Sequence, residues 1–165
     1  MEIKILDTND KKPLFDFEVR NKDWFEQFVP PRPDGYFNFN SFSSIIDSLI
    51  EEQNNKACFL FVIYENNEII GRMNISEINN NIAEIGYRIC KDHLKMGLAT
   101  NSLKQLIQFS SKKLNITELA AKTTSENIAS QNVLLRNGFE YSGTIKDTAE
   151  LNGHKVDLLS YSLKL

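Results

Sequence analysis

The sequence predicts an α/β (α+β) fold, built as a mixed sheet with helices on both faces. Three observations lead to this prediction. Seven apolar runs have the length of strands, and four longer stretches repeat their apolar residues at helical spacing. The two kinds of segment are interspersed along the chain. The 165 residues contain no linker, repeat or low-complexity block, so residues 1–165 are expected to form one domain.

The first third of the chain is predicted to hold one strand and two helices. Residues 2–6 read as a short strand. Residues 10–29 have helical spacing and end before Pro30 and Pro31, which cannot continue a helix. An aromatic loop follows, and residues 43–54 form the second helix.

The middle of the chain is predicted to be an antiparallel meander of three strands. Residues 57–65 form a continuous apolar run, as in a strand that is covered on both faces. Residues 69–78 and 82–89 follow it. Asparagines separate the three runs, and asparagine tolerates the positive φ angles of tight turns.

The last third alternates between helices and strands. Its predicted elements, in order, are a helix at 97–114, a strand at 118–124, a helix at 127–137, and strands at 139–151 and 155–163. Gly138 suits the left-handed residue that often follows a helix. Asn152-Gly153 is the strongest turn signal in the sequence and predicts a hairpin between the last two strands.

Composition excludes several classes of protein. The formal net charge is −3, so no basic field draws the chain to nucleic acid or to anionic lipid. No segment approaches the apolar length of a membrane span, and the N-terminus lacks a signal-peptide pattern, so a cytoplasmic protein is expected. The two cysteines lie in apolar runs and are expected to be buried thiols. His93 and His154 are expected in surface loops, and without ligand spacing they predict no metal site.

The segment LKMGLA, residues 94–99, joins a predicted strand directly to a predicted helix. A helix N-terminus presents unpaired N–H groups and a partial positive charge, and it is a ready anion site when it follows a strand. Gly97 and Ala99 let a ligand approach the backbone, Thr100 offers a hydroxyl, and Lys95 adds a positive charge. On this segment alone, the alternative stays open that Gly97 merely starts a helix and Lys95 is solvated.

Two further segments, AEIGYRI before this loop and SENIASQNVLLRNGFEYSG after it, make the sequence resemble the GNAT superfamily of acetyl-CoA-dependent N-acetyltransferases. In that superfamily the loop reads Gln/Arg-x-x-Gly-x-Gly/Ala, and residues 94–99 fit it except for Leu94. NKDWFEQFVPPRP and IKDTAELNGHKVDLLSYSL extend the resemblance to the RimJ/RimL branch, which acetylates the N-terminal amine of ribosomal proteins. The resemblance implies a GNAT fold, with a mixed, mostly antiparallel central sheet of about seven strands.

The resemblance also implies where coenzyme A binds. The loop would hold its pyrophosphate, and the pantetheine arm would pair with free backbone where two neighbouring strands splay apart. Ser130 would approach the thioester sulfur. Many superfamily members use a tyrosine acid at the position that Leu134 occupies here. The implied cofactor-binding residues are Ile89, Cys90, Lys95, Met96, Gly97, Leu98, Ala99, Thr100, Asn127 and Ser130.

Glu84 occupies the position at which many members of the superfamily carry the strand glutamate that deprotonates the amine. Glu84 and Ser130 are therefore the candidate catalytic residues. The alternative is that Glu84 is a solvated carboxylate or pairs with Arg88, which lies on the same face of the strand. Gly86 is expected either to mark a bulge or close backbone approach, or to pack beneath an aromatic ring.

The expected partners are coenzyme A and an acceptor amine, with no metal, nucleic acid or membrane, in a monomer or homodimer. The leading acceptor is the N-terminal α-amine of a protein, of ribosomal-protein type. Two alternatives stay open: a small-molecule amine such as a polyamine, an amino acid or an antibiotic, and a non-catalytic acyl-CoA-binding sensor. The aromatic segment, made of Trp24, Phe25, Tyr36, Phe37, Phe39 and Phe42, is expected to be mostly core, with about two of these residues lining the site.

Overall fold

Seven strands form one continuous sheet in the order β1-β2-β3-β4-β5-β7-β6. The computed structural model describes residues 1–151 and 153–165. The strands are β1 (Glu2–Ile5), β2 (Phe59–Glu65), β3 (Glu68–Asn79), β4 (Ile82–Ile89), β5 (Glu118–Thr124), β6 (Glu140–Leu151) and β7 (His154–Lys164). The pair β4–β5 is parallel, and the other neighbouring strands are antiparallel. The predicted mixed, mostly antiparallel sheet of seven strands is confirmed.

The helices are α1 (Lys11–Arg20), α2 (Lys22–Phe25), α3 (Phe39–Asn54), α4 (Leu98–Leu114) and α5 (Ile128–Arg136). They cover both faces of the sheet. Glu18 of α1 contacts Arg88 of β4, whereas the adjacent Tyr87 reaches Ser130 of α5 on the opposite face. The phenylalanine Phe109 of α4 packs edge-on against Phe61 of β2, which lies in register with Met73 and Tyr87. Therefore α4 and α5 share one face, and α1 lies on the other.

The asparagine turns are formed as predicted. Asn66 and Asn67 have φ angles of 49° and 65°, and Asn80 and Asn81 have φ angles of 48° and 62°. Two consecutive left-handed residues give a turn whose twist matches that of the strands it joins. Gly153 is also left-handed, with a φ of 79°. Asn152, the other half of the predicted Asn-Gly turn, lies outside the described residues.

The predicted helix at residues 10–29 is in fact two helices that meet at Asn21. The buried Asn21 side chain donates from Nδ2 to the carbonyl of Phe17, 2.9 Å away, and so takes up a carbonyl at the end of α1. The chain changes direction there. The third helix begins at Phe39, earlier than the predicted residue 43, because Asn38 Oδ1 accepts from the N–H groups of Asn40 and Ser41.

Cys58 and Cys90 are both free thiols and both buried, as predicted. Within residues 1–151 and 153–165, His, Cys, Asp and Glu side chains form no group of three that could hold a metal ion. Over the same ranges, each helix is too short or too polar to cross a membrane.

Candidate active site

The two central strands separate halfway along their length. The parallel pairing of β4 and β5 runs from Ile82↔Glu118 to Ile85↔Ala121, although the strands continue to Ile89 and Thr124. Alternate residues of a strand direct their backbone groups to opposite neighbours. Cys90 N donates to Ile70 O of β3 at 2.9 Å. Tyr87 and Ile89 therefore direct their backbone groups toward the gap that β5 has left.

A cleft of about 370 Å³ opens at this separation. One wall comes from α2 and the residues after it, the floor from the end of β4, and the other wall from the loop before α4 and from α5. Of the cofactor-binding residues that the sequence predicts, the cleft is lined by Ile89, Lys95, Gly97, Leu98, Ala99, Thr100, Asn127 and Ser130. Segments that are far apart in the sequence therefore meet around one space.

Three predicted site residues lie outside this lining. The side chain of Met96 projects into solvent and is 67% exposed. Cys90 is buried, and its N–H and carbonyl are already bonded to Ile70 and His93. Glu84 lies on the part of β4 that is still paired with β5. For Cys90, a backbone hydrogen bond with a ligand would have to replace one of these two bonds.

The loop before α4 exposes backbone N–H groups to the cleft. Lys95 and Gly97 have left-handed φ angles of 61° and 73°, which turn the chain sharply into the helix. Asn101 N donates to Gly97 O at 2.9 Å, so Leu98, Ala99 and Thr100 precede the first N–H group with a partner inside the helix. The 17 residues of α4 add the partial positive charge of a helix dipole at this end. This geometry suits an anion.

Gly97 leaves the approach to these groups open. A Cβ atom built at Gly97 would meet only the side chain of Asn101, 3.7 Å from its Nδ2 atom. The protein itself therefore has room for a side chain at position 97. The glycine suits the left-handed backbone angle, and it keeps the loop open to a ligand.

The opposite wall is organised by Asn127 and Ser130. Asn127 Oδ1 accepts from Ser130 N at 3.1 Å and caps α5. The Ser130 hydroxyl lies 3.0 Å from the hydroxyl of Tyr87, which also lies 3.2 Å from the Ser130 carbonyl and donates to it. Burial raises the pKa of Tyr87 to about 12, against the lowering effect of the Ser130 hydrogen bond. Tyr87 is a functional candidate that the sequence did not single out.

Glu84 forms an ion pair with Lys122 of β5, with 2.5 Å between Oε2 and Nζ. The hydrogen bond that Lys122 donates to Glu84 raises the pKa of Lys122, against the lowering effect of partial burial. Both side chains remain partly exposed. Arg88, the partner that the sequence offered for Glu84, pairs with Glu18 instead.

Gly86 makes room for a side chain of the neighbouring strand. A Cβ atom at Gly86 would lie 2.8 Å from Asn74 Oδ1. The register from Gly71↔Ile89 to Ser76↔Glu84 is regular, so the bulge considered for Gly86 is wrong. The close approach is made by the Asn74 amide rather than by an aromatic ring.

His93 is half-buried and links two elements, contrary to its predicted place in a surface loop. Its Nδ1 lies 2.9 Å from the Cys90 sulfur, and its Nε2 lies 2.9 Å from Glu65 Oε2. This chain of contacts ties the loop before α4 to the end of β2. His154 is exposed, as predicted, and contacts Glu126.

Two residues of the aromatic segment, Trp24 and Phe25, line the cleft together with the nearby Phe28. The indole N–H of Trp24 donates to the carbonyl of Ile89 at 3.3 Å, on the side of β4 that faces the gap. Tyr36 and Phe42 are buried in the core. The division of this segment into core and lining residues agrees with the prediction.

Comparison with known proteins assigns the family. The model of the acetyltransferase (GNAT) domain matches residues 4–140. Ribosomal-protein-serine acetyltransferase of Escherichia coli (strain K12) is 27% identical over 170 residues, which cover 98% of this chain and 91% of that protein.

Two solved structures share the fold. The ribosomal-protein-S5-alanine acetyltransferase from Vibrio fischeri superposes with a TM-score of 0.92 at 22% identity, over 98% of this chain and 91% of that chain. RimL, a ribosomal L7/L12 α-N-protein acetyltransferase in complex with coenzyme A, gives a TM-score of 0.91 at 23% identity, over 99% and 93%. The predicted resemblance is confirmed. Because the family model spans well over half of the sequence, the chain belongs to the GNAT family of acetyltransferases.

Proposed function

We propose that this acetyltransferase moves the acetyl group of acetyl-CoA to the N-terminal α-amine of a protein. One observation carries the proposal: the anion-binding loop that opens α4 faces the same cleft as the gap between β4 and β5. Coenzyme A carries a diphosphate at one end of a flexible arm and the thioester at the other. The loop suits the diphosphate. The arm then extends toward the gap, where Tyr87 and Ile89 offer backbone groups.

The reaction needs a neutral amine. An α-amine has a pKa near 7.7–8.0, so roughly a tenth to a fifth of it is neutral at pH 7. A base therefore has to make only a modest contribution to the rate, by taking a proton from the amine directly or through water. We assign this role to Glu84, which lies on β4 just before the strands separate and keeps part of its carboxylate in solvent. The ion pair with Lys122 must loosen when Glu84 accepts the proton.

The departing thiolate needs a hydrogen-bond donor. Ser130 Oγ lines the cleft and lies 3.0 Å from the Tyr87 hydroxyl, while the Ser130 backbone is held by the Tyr87 hydroxyl at its carbonyl and by Asn127 at its N–H group. We assign the contact with sulfur to Ser130 and the supply of its hydrogen bond to Tyr87. With a pKa near 12, Tyr87 keeps its proton throughout the neutral range, and this proton turns from the Ser130 carbonyl to Ser130 Oγ when the serine hydroxyl donates to sulfur. Leu134, buried in α5, offers no such group.

The acceptor is inferred from the relatives. The Escherichia coli relative is named for a ribosomal-protein serine, and the Vibrio fischeri structure for a ribosomal-protein alanine. These names support an N-terminal amine as the acceptor, with a ribosomal protein as the first candidate. An aromatic wall of Trp24, Phe25 and Phe28 beside the gap suits the side chain of a short N-terminal segment.

A thiol-release assay tests the proposal. Purified protein is mixed with acetyl-CoA and with either short peptide amides that begin with Ser or Ala, or spermidine. We expect release of coenzyme A with the peptides and an acetyl group on their N-terminus by mass spectrometry. Turnover with spermidine alone would replace the peptide acceptor with a small amine. Tight binding of acetyl-CoA, without turnover of any amine, would make the protein a sensor.

A further inference from the structure

Two arginines of the sheet share one buried carboxylate next to the cleft. Arg72 of β3 and Arg88 of β4 lie directly opposite each other in the register. Arg72 Nε lies 2.6 Å from Glu18 Oε1, and Arg88 Nη1 lies 3.4 Å from Glu18 Oε2. Glu18 is 1% exposed, so it is removed from water by α1 and by these two side chains.

A third arginine, Arg32, comes from the segment between α2 and α3. Its guanidinium lies 4.7 Å from the centre of the Tyr36 ring. Its Nε is buried and has no hydrogen-bond partner in the described part of the chain. Burial, together with the charge of Arg72, lowers the pKa of Arg32. An unpaired buried N–H group is costly, so a ligand that approaches closely enough for Arg32 to turn toward it would gain this donor.

These three side chains, Arg32, Arg72 and Arg88, form an arginine cluster with too few negative charges. The titratable groups that act on Arg88 are Arg72 and Arg32, which lower its pKa, and Glu18 and Tyr36, which raise it. Burial is the largest cause, and the pKa of Arg88 falls to about 10. Among residues 1–151 and 153–165, Arg72 and Arg88 contact Glu18 and Arg32 feels its charge, so one carboxylate serves three guanidinium groups. Like charges held together away from water destabilise one another unless an anion joins them.

The arginine cluster reaches the cleft through Arg88, on the acceptor side rather than with the loop before α4. Arg88 itself lines the cleft, and its guanidinium lies 5.1 Å from the centre of the Phe25 ring. Its side chain projects to the face of the sheet that α1 covers, whereas α4 lies on the other face. Glu84 lies four residues before Arg88 on β4, and its side chain projects to the same face of the sheet. Four residues of a strand span about 13 Å. A peptide of a few residues spans that distance.

We propose that the arginine cluster binds a carboxylate of the acceptor, so that the preferred substrates carry an acidic side chain within their first four residues. This inference rests on the proposed function and narrows its substrate class. Guanidinium groups match the two oxygens of a carboxylate with parallel hydrogen bonds, and each such charged bond is stronger than a neutral one. The same charges repel a polyamine, which disfavours that acceptor.

Paired peptides test the inference. Three hexapeptide amides begin with Ser and carry one Asp, at position 2, 3 or 4, and each has a partner with Asn at the same place. Amidation removes the terminal carboxylate, so each pair differs in one charge. For at least one pair we expect kcat/KM to be tenfold or more higher with Asp. The gain should lie in the KM for the peptide, with the KM for acetyl-CoA unchanged.

Variants of the protein locate the effect. Arg32→Gln removes a charge that forms no ion pair with the described residues, and we expect it to reduce the Asp/Asn ratio of kcat/KM to below threefold. Arg32→Lys keeps the positive charge but loses the guanidinium group that forms two parallel hydrogen bonds with a carboxylate. This variant should give an intermediate ratio. Lys22→Gln is the matched control, because Lys22 also lies over an aromatic ring of this segment, 5.0 Å from the centre of Phe37. Its ratio should equal that of the wild type.

Each outcome decides a different point. If the wild type acetylates both members of every pair within twofold of each other, the arginine cluster does not read the acceptor and the inference is wrong, while the proposed function stands. If Lys22→Gln and Arg32→Gln lower the Asp/Asn ratio of kcat/KM equally, the preference comes from the overall positive charge of this region and not from a binding site for the carboxylate. If no peptide is acetylated at all, the proposed function fails first, and the inference falls with it.

Discussion

The hydroxyl of Tyr87 lies 3.0 Å from the hydroxyl of Ser130 and joins the end of β4 to the first turn of α5. The two residues are 43 positions apart in the sequence and line the same cleft. Their contact fixes the rotamer of Ser130 at the wall where the thioester sulfur is proposed to lie. It also leaves a protonated phenol behind the serine across the whole neutral range, since burial raises the pKa of Tyr87 to about 12.

Replacing Tyr87 by Phe tests this arrangement. The variant keeps the ring in the core and removes one hydroxyl, so Ser130 loses its partner. A hydrogen bond of this kind contributes about 1–1.5 kcal/mol, and we therefore expect kcat to fall by roughly tenfold while the KM for acetyl-CoA changes by less than threefold. Steady-state kinetics with a peptide acceptor measures both constants.

The matched control is Tyr141→Phe, which removes the same atom from an exposed tyrosine bonded to Thr144. Its kcat should equal that of the wild type. If Tyr87→Phe is folded and its kcat is unchanged, Ser130 does not depend on the Tyr87 hydroxyl, and Tyr87 has no part in the mechanism.

Glu84→Gln tests the proposed base. The amide keeps the size of the side chain and cannot take a proton from the acceptor. Below about pH 7.5 most of the acceptor amine is charged, and we expect kcat to fall by tenfold or more; above about pH 8.5 the amine is already neutral, so the loss should shrink. The pH–rate profiles of the two proteins measure this.

Lys122→Met is the control for the ion pair at Glu84. It removes the ammonium 2.5 Å from the carboxylate and leaves the base in place, so its kcat should stay within threefold of the wild type. Profiles of Glu84→Gln and wild type that run parallel at every pH would end the assignment of Glu84 as base.

Local patterns predicted the strands, the asparagine turns and the loop before α4, because each of these depends on neighbours in the sequence. The predicted helix at residues 10–29 missed the break at Asn21, since apolar spacing carries no sign of a side chain that bonds its own helix. The contacts that organise the cleft were also missed. Tyr87 with Ser130 and Arg88 with Glu18 join residues 43 and 70 positions apart, and only the folded sheet brings them together.

Gly97→Val tests the loop as a diphosphate site. Valine in a left-handed conformation strains the backbone by about 1–2 kcal/mol, and its side chain would stand where a ligand approaches the N–H groups of α4. We expect the affinity for coenzyme A, measured by calorimetry, to fall by tenfold or more.

The control is Gly153→Val, because Gly153 has a similar φ of 79° and a Cβ atom there would meet nothing within 4 Å. Both variants should lose similar thermal stability, and only Gly97→Val should lose affinity. Equal affinities in the two variants would show that the glycine serves the backbone angle alone.

Glu18→Gln tests the balance of charge under the cleft. The glutamate is buried and holds Arg72 and Arg88, so its neutralisation removes the carboxylate that these two arginines contact in the described part of the chain. Breaking a buried ion pair by removing one partner costs about 3–5 kcal/mol, and we expect a loss of that size in the free energy of unfolding by urea titration.

A surface ion pair provides the comparison for Glu18. Asp47 pairs with Lys11 at 2.5 Å but is 57% exposed, so Asp47→Asn should cost less than about 1 kcal/mol. The double variant Glu18→Gln/Arg72→Gln also removes one of the arginine charges that lost its partner. It should recover part of the lost free energy of unfolding, because fewer like charges then lie together. If Glu18→Gln is no less stable than Asp47→Asn, water already reaches the guanidinium groups and screens them. The cluster would then hold no surplus charge for a substrate to neutralise.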